Sequence, residues 1–369
     1  MKKSRMIFCL AVIALMLQPV QLEAQQGGKI SFGNLSLIPG IEMQGIYDDN
    51  IYKGNGREYA LPKTSKEEEK KADLITHAKP SFALNYVMPD DILKAAALVR
   101  KGRAFSLGLD FNSDGPQRTG WGGRFNPIHT MLATGTDAVA GTQDAGKIRY
   151  ADDMVSMPLQ CGTQWDALGH IFYKDKMWNG YDARLVDSTG AKKNGIHKTR
   201  DRMVGRGVLL DIPRHLGGDY LEDGFGVGNA ELDACAKAQG VEVRRGDFVI
   251  VRTGQMEHCL AKGDWGAYAA GDAPGLRFET CEWIHKKEIA AICFDTWGCE
   301  VRPNESTEAF QPWHWIIIPM VGITMGEIFY LKDLADDCAA DKVYEFMFCG
   351  PPLPITGAVG SPINPMAIK

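Results

Sequence analysis

The 369-residue chain has no long block of lysine and arginine and a formal net charge of −5, which argues against nucleic acid as its main partner. Its nine cysteines form no C-x-x-C pair and no zinc-finger spacing, so they read first as small core residues. A strand–GxGxxG–helix phosphate loop is lacking; Gly224-Phe225-Gly226-Val227-Gly228 reads as a plain loop. There is no Gly-x-Ser-x-Gly elbow either, which disfavours serine-hydrolase chemistry. Forty-one glycines and eighteen prolines follow no period, and no internal repeat is visible, so collagen-like and solenoid classes are excluded. What remains is ordinary globular composition, 45% hydrophobic and 24% charged, enough for one large domain with an appendage or for two domains.

The first stretch reads as a secretory signal, Met1 to Ala24. Lys2, Lys3 and Arg5 open it, Met6 to Leu17 is a short apolar run, and Leu22-Glu23-Ala24 ends on a small residue. The run is shorter than the roughly 20 residues a membrane-spanning helix needs. The expectation is a periplasmic or secreted protein without membrane association. Eight cysteines then remain in an oxidising compartment, an even number that permits bridges without proposing any pairing.

From Leu35 the chain alternates, with Leu35, Leu37, Ile41, Met43 and Tyr47 on one parity. A second run, Phe82, Leu84, Tyr86 and Met88, follows a mixed-charge stretch at Lys66 to Lys71. Both read as two-faced strands. With the Tyr47-Asp48-Asp49-Asn50-Ile51-Tyr52 turn and Asp73-Leu74-Ile75-Thr76, they resemble the opening of outer-membrane β-barrel proteins. Two strands close no barrel, so residues 25–88 are expected as a hairpin-like appendage. The main domain is expected over 89–369.

At Pro89 the texture becomes mixed. Asp90 or Asp91 caps a helix carrying Ile92, Ala95, Ala96 and Val99, with Gly102 to end it. Gly207 to Ile212, Asp247 to Arg252 and Ile289 to Phe294 read as buried strands. Asn229 to Gly240 and Leu331 to Ala340 read as helices. The order predicts a mixed α/β fold with an irregular central sheet flanked by helices, in place of a doubly wound one.

Chemistry concentrates in Gln160-Cys161-Gly162-Thr163-Gln164-Trp165-Asp166-Ala167-Leu168-Gly169-His170. Turns at Gly162 and Gly169 would let Gln160, Gln164, Asp166 and His170 converge; a hydrogen-bonded Asp–His pair of purely structural purpose is the plainer alternative. Cys259 beside His258 is read as coincidence, because neighbours on a strand point apart. Trp165, Trp178, Trp297, Trp313 and Trp315 lie near the motifs, as core or as the wall of an aromatic pocket.

The segment resembles the cyclase family, which includes kynurenine formamidases of tryptophan catabolism and isatin hydrolases. The family pattern is His-x-Gly-Thr-His-x-Asp-x-Pro-x-His. Gly162, Thr163, Asp166 and His170 match it, while Gln160 and Gln164 stand where the pattern has histidines and Leu168 where it has proline. Trp313-His314-Trp315 with Gly326-Glu327 resembles a second family region, and the Pro351–Pro365 ending a third. The resemblance implies the family's swivelling β/β/α fold, a homo-dimer or tetramer, and a metal-dependent hydrolase that opens the amide of a small aromatic, cyclic or N-formyl substrate. It implies Asp166, His314 and Glu327 as metal ligands, with Gln160 and Gln164 as weaker ones, and His170 as general acid/base. Thr163 and Trp165 become the expected substrate contacts. Amide oxygens at 160 and 164 shift preference from zinc toward harder ions such as manganese or magnesium. The rival reading is a catalytically silent small-molecule-binding protein that keeps the fold.

Overall fold

The computed structural model describes residues 82–369 and, nearer the N-terminus, the backbone of a short antiparallel pair, Ile30–Phe32 with Leu35–Leu37. That pair belongs to a separate unit, Met1–Tyr47, from the unit Asp48–Lys369 that carries everything else. The expected leader, the remainder of the first alternating run, the expected barrel-like turn and the Lys66–Lys71 stretch lie outside the described residues.

A nine-stranded mixed sheet forms the body. In chain order its strands are β1 (Ala104–Ser106), β2 (Gln164–Asp166), β3 (Val204–Asp211), β4 (Phe248–Arg252), β5 (Ala291–Phe294), β6 (Thr324–Glu327), β7 (Glu345–Cys349), β8 (Gly360–Pro362) and β9 (Met366–Ile368). They lie in the order β8-β2-β6-β5-β4-β3-β7-β9-β1. The centre is parallel: β3 on β4, β4 on β5, β5 on β6. Both flanks are antiparallel. The fold is therefore mixed α/β with an irregular sheet, as its uneven sequence of strands and helices implies. Covering helices bury both faces of the parallel centre, which is why β4 reads Phe-Val-Ile-Val-Arg without alternation and every residue of it is buried. Arg252 ends that strand paired with Asp211 at 2.7 Å and with Glu257.

Two helices match their sequence signals closely. Asn229–Gln239 stops at Gly240, which takes a left-handed φ of 66°, and Lys332–Asp341 covers the other expected run. The helix after Pro89 is shorter than its apolar spacing suggests and ends at Ala96. Its cap is reciprocal to the one expected: the Asp91 carboxylate accepts from the backbone N–H of Met88 at 2.9 Å, with Pro89 at the first helical position. Phe82 to Met88 is no strand. Ala83–Tyr86 is a 3₁₀ turn that drives Phe82, Ala83 and Leu84 into the core, and Ala83 N–H donates to the Gly322 carbonyl at 3.1 Å. The packed body thus takes in residues ahead of Pro89.

His258 and Cys259 sit on a helix, Gln255–Lys262, and not on the expected strand. They do not form a reactive pair: His258 stacks on Tyr220 with ring centroids 3.8 Å apart, and burial pushes the Cys259 thiol up. The cysteines among the described residues are all unbridged and mostly buried, in keeping with a core role. No helix among the described residues is long and apolar enough to cross a membrane.

Candidate metal centre

The site lies on one face of β2 and β6, beside the helix that follows Gln311. β2 alternates, so Gln164 and Asp166 share one face while Trp165 takes the other. Antiparallel pairing sets Glu327 directly opposite Gln164, and Met325 opposite Asp166. That register puts Gln164, Asp166 and Glu327 on one face of the sheet. Gly326 is small because it must be: a Cβ there would lie 2.8 Å from the Cys293 sulfur. His314 comes from the helix Pro312–Ile316, which continues as a π turn over Ile317–Val321.

Asp166, His314 and Glu327 are buried together, each offering a ligand atom within 4.8 Å of the others. The imidazole is fixed from both sides. Its Nδ1 faces Glu300 Oε1 at 2.6 Å and its Nε2 faces Glu327 Oε1 at 3.3 Å. Glu300 also accepts from the backbone N–H groups of Trp313 at 3.3 Å and His314 at 3.2 Å, so one carboxylate caps the helix start and orients the ring. Asn304 donates to its other oxygen at 3.0 Å.

The electrostatics favour a cation at this place. Burial, and then the Glu327 carboxylate, push Asp166 well above the carboxylate range. Burial alone would lower His314, but its hydrogen bonds to Glu300 and Glu327 outweigh that and hold it up to about 10. One Asp166 oxygen and the Gln164 amide oxygen are buried without a hydrogen-bond partner. Orphaned acceptors beside a proton-gripping histidine fit a divalent ion bound by one nitrogen and carboxylate oxygens.

The other expected residues are placed as follows. Gln164 reaches the cluster as a donor, its Nε2 2.7 Å from Glu327 Oε2. Gln160 is half-buried against β8; its Nε2 would lie 2.5 Å from a Cβ on Gly360. His170 Nε2 stands 3.7 Å from Asp166 Oδ1. Burial, and then the Arg124 cation, bring His170 down to about 4, so the ring is neutral at pH 7. Thr163 and Trp165 are committed to internal contacts. The Thr163 hydroxyl donates to the Ile328 carbonyl at 2.5 Å and accepts from Leu109 N–H at 2.7 Å. Trp165 is fully buried between Phe329 and Phe348, its indole N–H on the Gly350 carbonyl at 2.6 Å.

Sequence reading passes over Glu300 and Arg124. Glu300 lies outside both motifs, and its partners are joined to it only by the fold. Arg124 sits on a glycine-rich turn whose only local signal is Trp121; its guanidinium lies 5.2 Å from the Trp121 ring centroid and 5.1 Å from that of Trp297.

Residues 86–301 match the model of the Cyclase family. A solved structure described as a novel cyclase is 37% identical, with a TM-score of 0.71, over 78% of this chain and 95% of that one. Isatin hydrolase A from Ralstonia solanacearum is 16% identical with a TM-score of 0.53, over 72% of this chain and 91% of its own. Isatin hydrolase A from Labrenzia aggregata, solved with benzyl benzoate, is 17% identical with a TM-score of 0.52, over 74% and 96%; at these identities the likeness is one of fold. No curated protein matches. Matched over most of its described length by a family model and by a relative of the same fold, the chain belongs to the cyclase family.

Proposed function

We propose that the protein is a metal-dependent hydrolase that cleaves the amide bond of a small cyclic or N-acyl substrate. The observation that carries this reading is the buried Asp166–His314–Glu327 cluster, with its unpartnered Asp166 oxygen and His170 at 3.7 Å. Asp166, His314 and Glu327 would hold the ion, with Glu300 orienting His314 and Gln164 orienting Glu327. A divalent cation there supplies Lewis-acid polarisation of a carbonyl and an acidified water. The chain's own contribution is proton handling. His170, neutral and one-fifth exposed, can take a proton from water and return it to the leaving nitrogen. The likeness in fold to isatin hydrolases supports a ring amide as the first substrate to try. The leader at Met1–Ala24 would place the reaction outside the cytoplasm.

Metal analysis of the purified protein, combined with a screen of cyclic and N-formyl amides, tests the reading. The expected result is one divalent ion per chain and turnover that falls roughly 10²–10⁴-fold in His170→Ala with metal retained. Stoichiometric metal without turnover on any amide would favour the silent binding protein, for which the glutamines at 160 and 164 are the supporting observation. Absence of bound metal under loading conditions would refute both the ion and the chemistry.

A further inference from the structure

The most unusual accounting in the molecule lies beside the metal centre. Arg302 is 3% exposed, and its Nε, Nη1 and Nη2 all lack a hydrogen-bond partner. Its guanidinium carbon lies 5.0 Å from the centroid of the Trp297 ring. Trp297 is 2% exposed, and its indole N–H is likewise unpartnered. Buried polar groups are satisfied in more than roughly nine cases in ten, so four orphaned nitrogens in one stacked pair call for an explanation. All four are donors, since neither a guanidinium nor an indole N–H can accept. What is missing is an acceptor.

The nearby carboxylates do not fill that place. Asp223, Asp272, Glu300 and Glu327 all act on the Arg302 charge, but none forms an ion pair with it among the described residues. Asp223 accepts from Gln255 Nε2 at 2.8 Å; Glu300 is occupied by His314 and Glu327 by Gln164 and His314. A second cation, Arg124, lies over the same indole at 5.1 Å. Its charge is felt at Asp166 and His170, which places this group of donors within electrostatic reach of the reacting end of the site. Two guanidinium groups around one buried ring repel each other unless an anion lies with them.

We propose that Arg302, with the Trp297 indole N–H and Arg124, forms a binding place for a carboxylate group of the substrate, adjacent to the Asp166–His314–Glu327 cluster. A carboxylate supplies two coplanar acceptors and one negative charge, matching the guanidinium fork. The assignment of that carboxylate to a substrate rests on the hydrolase reading; the anion site itself does not. The substrate class narrows accordingly, to amides that carry a carboxylate apart from the bond that is cut. The scissile amide would lie at the cluster and the carboxylate at Arg302.

The test uses the full chain and two probes of the same shape, benzoate and benzamide, titrated by calorimetry with and without EDTA. Benzoate should bind at least roughly tenfold more tightly than benzamide, with or without EDTA. Arg302→Met should abolish that preference, and Arg302→Lys should retain part of it. Removing an unpartnered buried charge should leave the ligand-free melting temperature equal or higher, whereas removing a structural arginine would lower it. Trp297→Phe, which deletes the indole N–H donor and one of the two fused rings but keeps an aromatic face, should weaken benzoate several-fold and serves if Arg302→Met does not fold. Three results would each overturn the proposal: no preference for benzoate, benzoate binding that EDTA removes while Arg302→Met keeps it, or a destabilised Arg302→Met with benzoate binding intact. A chain that shows the Arg302-dependent preference but turns over no amide would retain the carboxylate site and lose the hydrolase reading.

Discussion

Where the domain begins can be decided by two truncations. Deleting residues 25–81 leaves every described core residue in place, whereas deleting 25–88 also removes the 3₁₀ turn Ala83–Tyr86. Phe82 is 3% exposed and Leu84 1%; side chains of this size contribute about 1.5–3 kcal/mol each on burial. Ala83 N–H to the Gly322 carbonyl, at 3.1 Å, adds about 1 kcal/mol. The longer deletion should therefore cost roughly 4–7 kcal/mol more than the shorter one, a large part of the ~5–15 kcal/mol of a typical domain. Gly322 closes the π turn after the His314 helix, so the damage should also reach the metal centre. Urea unfolding followed by far-UV circular dichroism, together with zinc binding, gives both readings. Coincident unfolding midpoints for the two truncated chains would show that Phe82 and Leu84 contribute nothing, and the boundary would return to Pro89.

Glu300→Gln keeps the shape of the residue that orients His314, yet zinc affinity measured by calorimetry at one pH should fall roughly 10–100-fold; unchanged affinity with a lowered melting point would reduce Glu300 to a helix cap. Gln164→His, opposite Glu327, should raise zinc affinity by adding a nitrogen donor, whereas Gln160→His, against Gly360, should not; equal gains from both would place Gln160 at the ion after all. Lys369→Met should destabilise by about 3 kcal/mol, because Lys369 Nζ is buried on Asp337 and Asp341, each at 2.9 Å. Burial alone would raise Asp341, but Lys101 and Lys369 outweigh it and hold it at about 2. Its stabilising contribution is thus full above pH ~4 and lost as pH falls toward 2; urea midpoints across that range should slope less in Lys369→Met, and an unaltered slope would refute the pairing.

How much of this is legible in the sequence depends on the range of the interaction. β3, β4 and β5 are visible as Gly207–Ile212, Asp247–Arg252 and Ile289–Phe294, because burial on both faces imposes a continuous apolar run. Gly240 announces a helix end because only glycine takes that backbone cheaply. Phe82–Met88 misleads for a related reason: with Phe82 and Leu84 the residues driven into the core, a tight turn shows an apolar spacing close to that of a two-faced strand. Asp166, His314 and Glu327 are brought together by the fold, as the motifs suggest. Glu300 and Arg302 are not legible, since what defines each is an environment assembled from distant segments. A charged residue next to an apolar run looks the same in sequence whether it is solvated or sealed in.

The replacement of histidine by glutamine at 164 then has a physical account that needs no loss of function. At that position β2 faces β6, and the residue directly opposite is Glu327. An imidazole there would compete with His314 for one carboxylate, or bind a second ion. The amide instead donates from Nε2 to Glu327 Oε2 at 2.7 Å, leaving Glu327 Oε1 toward His314 at 3.3 Å. The effect is to divide the carboxylate's two oxygens between an orienting partner and the cluster. Orientation of a ligand by a neutral donor is what surrounding residues commonly provide at metal centres. The same donor adds no positive charge to a pocket where the Asp166 and Glu327 carboxylates already repel each other. That repulsion, which Arg124 and His314 offset only in part, is what a divalent cation would relieve.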